Sequence, residues 1–221
     1  MKRNVSLEEI SDGRLYGYQD MVRADCHGCQ GCHKCCAGMG NSVVLDPYDA
    51  WRLQEGLGLP FATLLDEGKI ELHVVDGCIL PNLAMNGREE ACAFLDEGGR
   101  CSIHAYRPGI CRLFPLGRYY EDGDFRFFLQ TGECAAKNRT KIKASKWLDT
   151  PRQAENHRFL CAWHQLLKEA EEAVSGREDS EAARELNLGL LTVFYFSEPS
   201  RVDFYEDFEV KLELFRKKFM I

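Results

Sequence analysis

Nothing in this chain is apolar for long enough to cross a bilayer. Its longest such run, LGLLTVFYF from Leu188 to Phe196, falls well short of the roughly 20 residues that a spanning helix needs. The opening residues, MKRNVSLEEI, lack the apolar stretch of a signal peptide, so the expected location is cytoplasmic. Also missing is a surplus of positive charge. With 28 Lys and Arg against 35 Asp and Glu the formal net charge is −7, which excludes a general nucleic-acid binder, because neutralising phosphates takes clustered cations. There is no repeat and no low-complexity segment. Of the 221 residues 45% are hydrophobic, enough for one large domain or two small ones with a real core.

Enzyme signatures are missing as well. The chain has no H-E-x-x-H, no H-x-E paired with P-C-x-x-C and no G-x-x-x-x-G-K-[ST]. Gly38-Met39-Gly40 lacks the third glycine and the preceding strand of a dinucleotide loop. The radical S-adenosylmethionine spacing C-x3-C-x2-C does not occur either; Cys29, Cys32 and Cys36 give its reverse. No catalytic residue can be named on these grounds.

What the chain does have is cysteine: eleven in all, five of them in CHGCQGCHKCC, Cys26 to Cys36. A disulfide framework is a poor account of them. The number is odd, a reducing cytosol keeps thiols free, and neighbours such as Cys35 and Cys36 can be bridged only through a strained peptide. Nor do thiols interleaved with Gly28, Gly31 and Gly38 pack as a core. Metal is the reading that remains. Further along, CAFLDEGGRCSIHAYRPGICRLFP and TGEC supply Cys92, Cys101, Cys111 and Cys134. Two distant loop regions folded around metal would explain the separation, since a C-x2-C turn offers two thiolates to one site and a remote pair closes it. Cys161, alone on a helix face, reads as a packed small hydrophobe.

The order C-x2-C-x2-CC (Cys29, Cys32, Cys35, Cys36), then C-x-F-L from Cys92, then C-S-I-x-x-x-R-P-x-x-C-R from Cys101 to Arg112, then Cys134, resembles the YkgJ-type cysteine-cluster (CxxCxxCC) family. That family is described as a zinc- or iron-chelating domain and includes flagellin lysine N-methylases. The match runs from about residue 26 to 134; Cys26 precedes the usual motif, and His104 stands where members usually carry Tyr. Spacing and resemblance together imply the ligand set Cys29, Cys32, Cys35, Cys36, Cys92, Cys101, Cys111 and Cys134, with Cys26, Cys78 and Cys161 outside it. Arg107 and Arg112, with Arg100, are placed in sequence to offset the thiolate charge or to donate hydrogen bonds to sulfur. C-x2-C-x2-C is ferredoxin-like spacing for three ligands of a [4Fe–4S] cluster. Iron–sulfur is therefore favoured over its alternative, two four-cysteine zinc sites, because zinc ribbons usually present separated pairs.

The expected fold is α+β: a cysteine-rich domain of short strands and loops over residues 1–142, with a helical region, 143–221, docked on it. LDPYDAWRLQEGLG reads as a helix capped by Asp46 with Pro47 first and Gly56 near its end, and Asp49 as a second capping group. KIELHVV reads as a strand, with His73 a sheet residue. GRYYEDGDFRFFLQ reads as a hairpin turning at Asp122-Gly123. Beyond Lys143 the apolar residues take helical spacing in three segments, the last carrying Phe204, Phe208, Leu212, Phe215 and Phe219. Two functions from different classes fit. One is a metal-binding or electron-handling module, acting as a carrier or with a protein partner. The other, implied by the family alone, is an S-adenosylmethionine-dependent protein lysine N-methylase.

Overall fold

The computed structural model describes residues 6–26, 32–87, 90–177, 180–197 and 203–221. It is α+β. A short helix, α1 (Leu7–Ile10), leads into strands β1 (Ser11–Tyr16) and β2 (Met21–Asp25). Helix α2 (Pro47–Leu57) begins where the sequence places it. Asp46 accepts from the Asp49 backbone at 2.8 Å, and the Asp49 carboxylate accepts from the Asp46 backbone at 3.4 Å, a reciprocal cap that satisfies two orphan donors. The helix runs past Gly56 and stops at Gly58, whose φ of 66° is the left-handed conformation that ends helices.

After α3 (Phe61–Asp66), β3 (Ile70–Val75) and β4 (Cys78–Leu83) pair antiparallel. His73 lies in β3 with Nε2 at 3.0 Å from Glu71, a sheet residue as expected. The two-residue strands β5 (Met85–Asn86) and β6 (Ala91–Cys92) pair with each other, and α4 (Gly109–Leu113) follows. Strands β7 (Leu116–Glu121) and β8 (Asp124–Gln130) are the predicted hairpin, turning through Asp122 and Gly123 at φ 51° and 78°, the positive pair that a two-residue hairpin loop requires. β1 adds to β8, giving a three-stranded sheet in the order β1-β8-β7. β2 pairs with β9 (Thr140–Lys143), from Met21 opposite Lys143 to Asp25 opposite Thr140.

A short α5 (Ala144–Leu148) then precedes the three main helices, α6 (Gln153–Val174), α7 (Glu181–Phe194) and α8 (Phe204–Phe219). Their apolar stripes face inward. Phe159, Trp163, Leu166, Leu190, Phe208 and Phe215 belong to the same core as Val22, Leu45, Leu53, Phe61 and Leu80 of the strand-rich part. Polar ties cross the same boundary. Tyr195 donates to the Leu45 carbonyl at 2.9 Å, and Asn187 accepts from the Ile79 backbone at 2.6 Å while donating to the Gly77 carbonyl at 3.2 Å. Each satisfies groups that burial would otherwise penalise. Acidic Glu206 and Asp207 open α8 and Arg216, Lys217 and Lys218 close it, the arrangement that its dipole prefers. No described helix is long and apolar enough to cross a membrane.

Candidate metal centre

Local backbone bonds bring the two cysteine regions together. A single 3-10 turn, Lys34–Cys36, carries Cys35 and Cys36. Just after it, Ala37 bridges to Ala91, and the Gly38 backbone donates to the Glu90 carbonyl at 3.0 Å, which sets the turn alongside β6 and Cys92. Leu95 donates back to the Cys92 carbonyl at 2.8 Å and bridges to Cys101, so DEGGR is a tight loop that returns the chain beside Cys92. His33 lies over Gly99, where a Cβ would come within 3.0 Å of the imidazole Nδ1.

Helix α4, which carries Cys111, is held from α2. Asp49 accepts from the Gly109 backbone at 2.7 Å, so this residue caps two helices at once. Gly56 lets the Tyr106 ring press onto α2; a Cβ there would stand 2.4 Å from Cγ of the ring. Gly56 is thus a point of close approach, a role that its position near the helix end does not announce. Gly56→Ala is expected to destabilise the fold by about 1–3 kcal/mol, as overpacking does, and to lower metal content with it. Thermal melting and metal analysis of the variant check this.

Five thiols, Cys35, Cys36, Cys92, Cys101 and Cys111, are close enough to feel one another's charge. Cys92 is buried and the other four are half-buried. The Cys35 and Cys36 sulfurs are 4.0 Å apart. The Cys36 thiol hydrogen-bonds to Cys35 and pulls its proton affinity down, with the Arg107 cation helping, while Cys36 is pushed up by the same bond and by burial. Burial, foremost, also pushes Cys92, Cys101 and Cys111 up. Burial thus disfavours the thiolate form at these positions, and a bound cation would reverse that.

The remaining predicted residues are placed differently. Cys29 lies outside the described residues. Cys32 is exposed ahead of the turn and Cys134 is half-buried in the loop between β8 and β9. Arg107 is beside Cys35 and Cys101 and within 2.9 Å of His104 Nε2. Arg112 turns elsewhere. It is 8% exposed, its charge is felt against Asp46 and Asp49, and it reaches the Asp149 carbonyl at 3.5 Å. Cys78 is a core residue at 2% exposure.

One feature of the site has no sequence signal. A cavity of about 580 Å³ opens beside α4, lined among others by Asp46, Asp49, Ile110, Arg118, Tyr120 and His164. Burial and the neighbouring Asp49 charge push Asp46 up to about 8, and burial pushes Asp49 up as well. Convergent polar groups with shifted proton affinities in an otherwise apolar hollow are the usual makings of a ligand site.

Residues 28–145 match the family model CxxCxxCC, described as "Putative zinc- or iron-chelating domain". The matched span contains every cysteine of the predicted ligand set. No curated protein and no solved structure matches the chain.

Proposed function

Because this chain belongs to the CxxCxxCC family, whose domain is described as chelating zinc or iron, we propose that it is a metal-binding module that holds a [4Fe–4S] cluster. Its ligands come from Cys29, Cys32, Cys35, Cys36, Cys92, Cys101, Cys111 and Cys134. The observation that carries the iron–sulfur reading is the C-x2-C-x2-C run from Cys29 to Cys35, the familiar spacing for three ligands of such a cluster, with Cys35 gathered beside Cys36, Cys92, Cys101 and Cys111 from the rest of the site. Arg107 offsets the charge of the loaded site. A module of this kind handles electrons or delivers metal together with a protein partner.

The experiment is purification without oxygen, followed by metal and sulfide analysis. Brown protein with iron and acid-labile sulfide is the expected result; colourless protein holding stoichiometric zinc would overturn it. Air-purified protein is no substitute, since zinc can fill thiolates from which a cluster has been lost.

A second reading, an S-adenosylmethionine-dependent protein lysine N-methylase, has one observation in its favour. The cavity touches Ile110, next to Cys111, and its volume of about 580 Å³ lies within the range of roughly 300–1,000 Å³ usual for small-molecule sites. Equilibrium binding of S-adenosylmethionine to the metal-loaded protein separates the two readings.

A further inference from the structure

Away from the cysteine cluster, α6 meets the β7-β8 turn at a second group of metal-binding side chains. His157 and Cys161 are four residues apart on α6 and so share one face of the helix. Asp124 opens β8 directly after the hairpin turn. Its Oδ1 is 2.8 Å from His157 Nε2 and 3.9 Å from Cys161 Sγ, and the sulfur is 3.8 Å from the same Nε2. Among the described residues this is the group of three His, Cys, Asp or Glu donors whose atoms all lie within 4.8 Å of one another.

A relay of the Cys–His–Asp type would put the carboxylate on one ring nitrogen and the thiol on the other, because the imidazole must pass a proton across itself. Here both face Nε2. Nδ1 is taken by the Tyr18 hydroxyl at 3.2 Å, so it is not free to serve a carboxylate. Three donors that converge on one point, with the far ring nitrogen fixed by a hydrogen-bond partner, are how metal-ligating histidines are set up. The edges also fit: sulfur, imidazole nitrogen and carboxylate oxygen around one tetrahedral zinc stand about 3.3–3.6 Å apart. Small side-chain rotations bring the observed separations there.

We propose that Asp124, His157 and Cys161 form a second metal site, for a borderline-soft divalent ion of the zinc class. Thiolate and carboxylate would neutralise the ion. Mixed nitrogen, sulfur and oxygen donors suit zinc, and three protein ligands leave a fourth position, which here faces solvent because the Asp124 side chain is 68% exposed. The site does not depend on which metal the cysteine cluster holds.

The test uses the full chain with its cluster loaded. After removal of loose metal, Zn2+ is titrated against a competing chromophoric chelator into the unmodified protein and into Cys161→Ala, His157→Gln and Tyr18→Phe. The unmodified protein should take up one tight equivalent more than either Cys161→Ala or His157→Gln, while the cluster metal stays unchanged in all. Tyr18→Phe should keep the equivalent but bind it roughly 10–100-fold more weakly, as loss of a supporting hydrogen bond does. Peptide-resolved alkylation of the unmodified protein decides the matter if a variant fails to fold: Zn2+ should slow modification of Cys161 at least 10-fold. Equal zinc uptake by the unmodified protein and both ligand variants, or a Cys161 alkylation rate indifferent to Zn2+, would overturn the proposal.

Discussion

Cys111→Ser protein is expected to come out of anoxic purification with little or no cluster metal and with most of the chain insoluble. Cys111 sits on α4, whose first backbone N–H is held by Asp49 at 2.7 Å, and its neighbours include Cys92, Cys35 and Cys101. A serine hydroxyl there cannot become the anion that a metal needs. Binding energy at a structural metal site is on the order of 10 kcal/mol and is folding energy at the same time, so metal and solubility should fall together. The same holds for Cys35, Cys36, Cys92 and Cys101, and the proposed ligand set extends it to Cys29, Cys32 and Cys134. Cys78→Ser should keep its cluster metal and lose about 1 kcal/mol, as an ordinary core substitution does. Metal-to-protein ratios across the single Ser variants measure this. A Cys111→Ser protein with a full complement would mean that the ligand set is drawn wrongly.

Residues 1–142 expressed alone should not yield a soluble, cooperatively melting protein. The helices that follow bury Leu45, Leu53, Phe61 and Leu80 in a shared core, and removing them leaves a large contiguous apolar face open to water. It also strips the Tyr195 hydroxyl from the Leu45 carbonyl and the Asn187 side chain from the Ile79 N–H. Stability of a whole domain is only about 5–15 kcal/mol, and uncovering several Leu and Phe side chains at about 1.5–3 kcal/mol each is a loss of the same size. On that outcome the division at residue 142 would be a change of grammar along the chain and not a border between independent folding units. Solubility and a melting curve of the fragment check the point, and a soluble, metal-loaded fragment with a cooperative transition would contradict it.

Features decided within a few residues could be read from the sequence. Asp46-Pro47 announces α2 because cap and first-turn chemistry are local, and Asp122-Gly123 announces the β7-β8 hairpin because only a few residue pairs tolerate two positive φ angles. The apolar periodicity of α6, α7 and α8 is legible for the same reason. Pairings between distant segments are not. Nothing in Ser11–Tyr16 says that it will lie against Phe127 and Phe128, since many strands could offer an equivalent edge. The metal centre divides along the same line. Motif spacing marks its cysteines, but that Asp49 would hold α4 as well as capping its own helix depends on contact across the fold. Cys161 shows the limit most plainly. Seen alone on an amphipathic helix it is a small hydrophobe, and only the hairpin folding back to α6 puts Asp124 against it.

The pairing of β2 with β9 has a consequence for the order of events at the ribosome. Asp25 lies opposite Thr140, and every cysteine of the proposed ligand set falls between them. Chains emerge from their N-terminus, so the strand pair that fastens the two ends of this segment cannot form until the last of those thiols has been made. Joining ends so far apart also carries a loop-closure cost that short hairpins escape. Local turns such as the one at Cys35 and Cys36 can settle first, while the long loop is still open and its thiols still within reach of a metal donor. Fastening waits until β9 has emerged, after every one of those thiols.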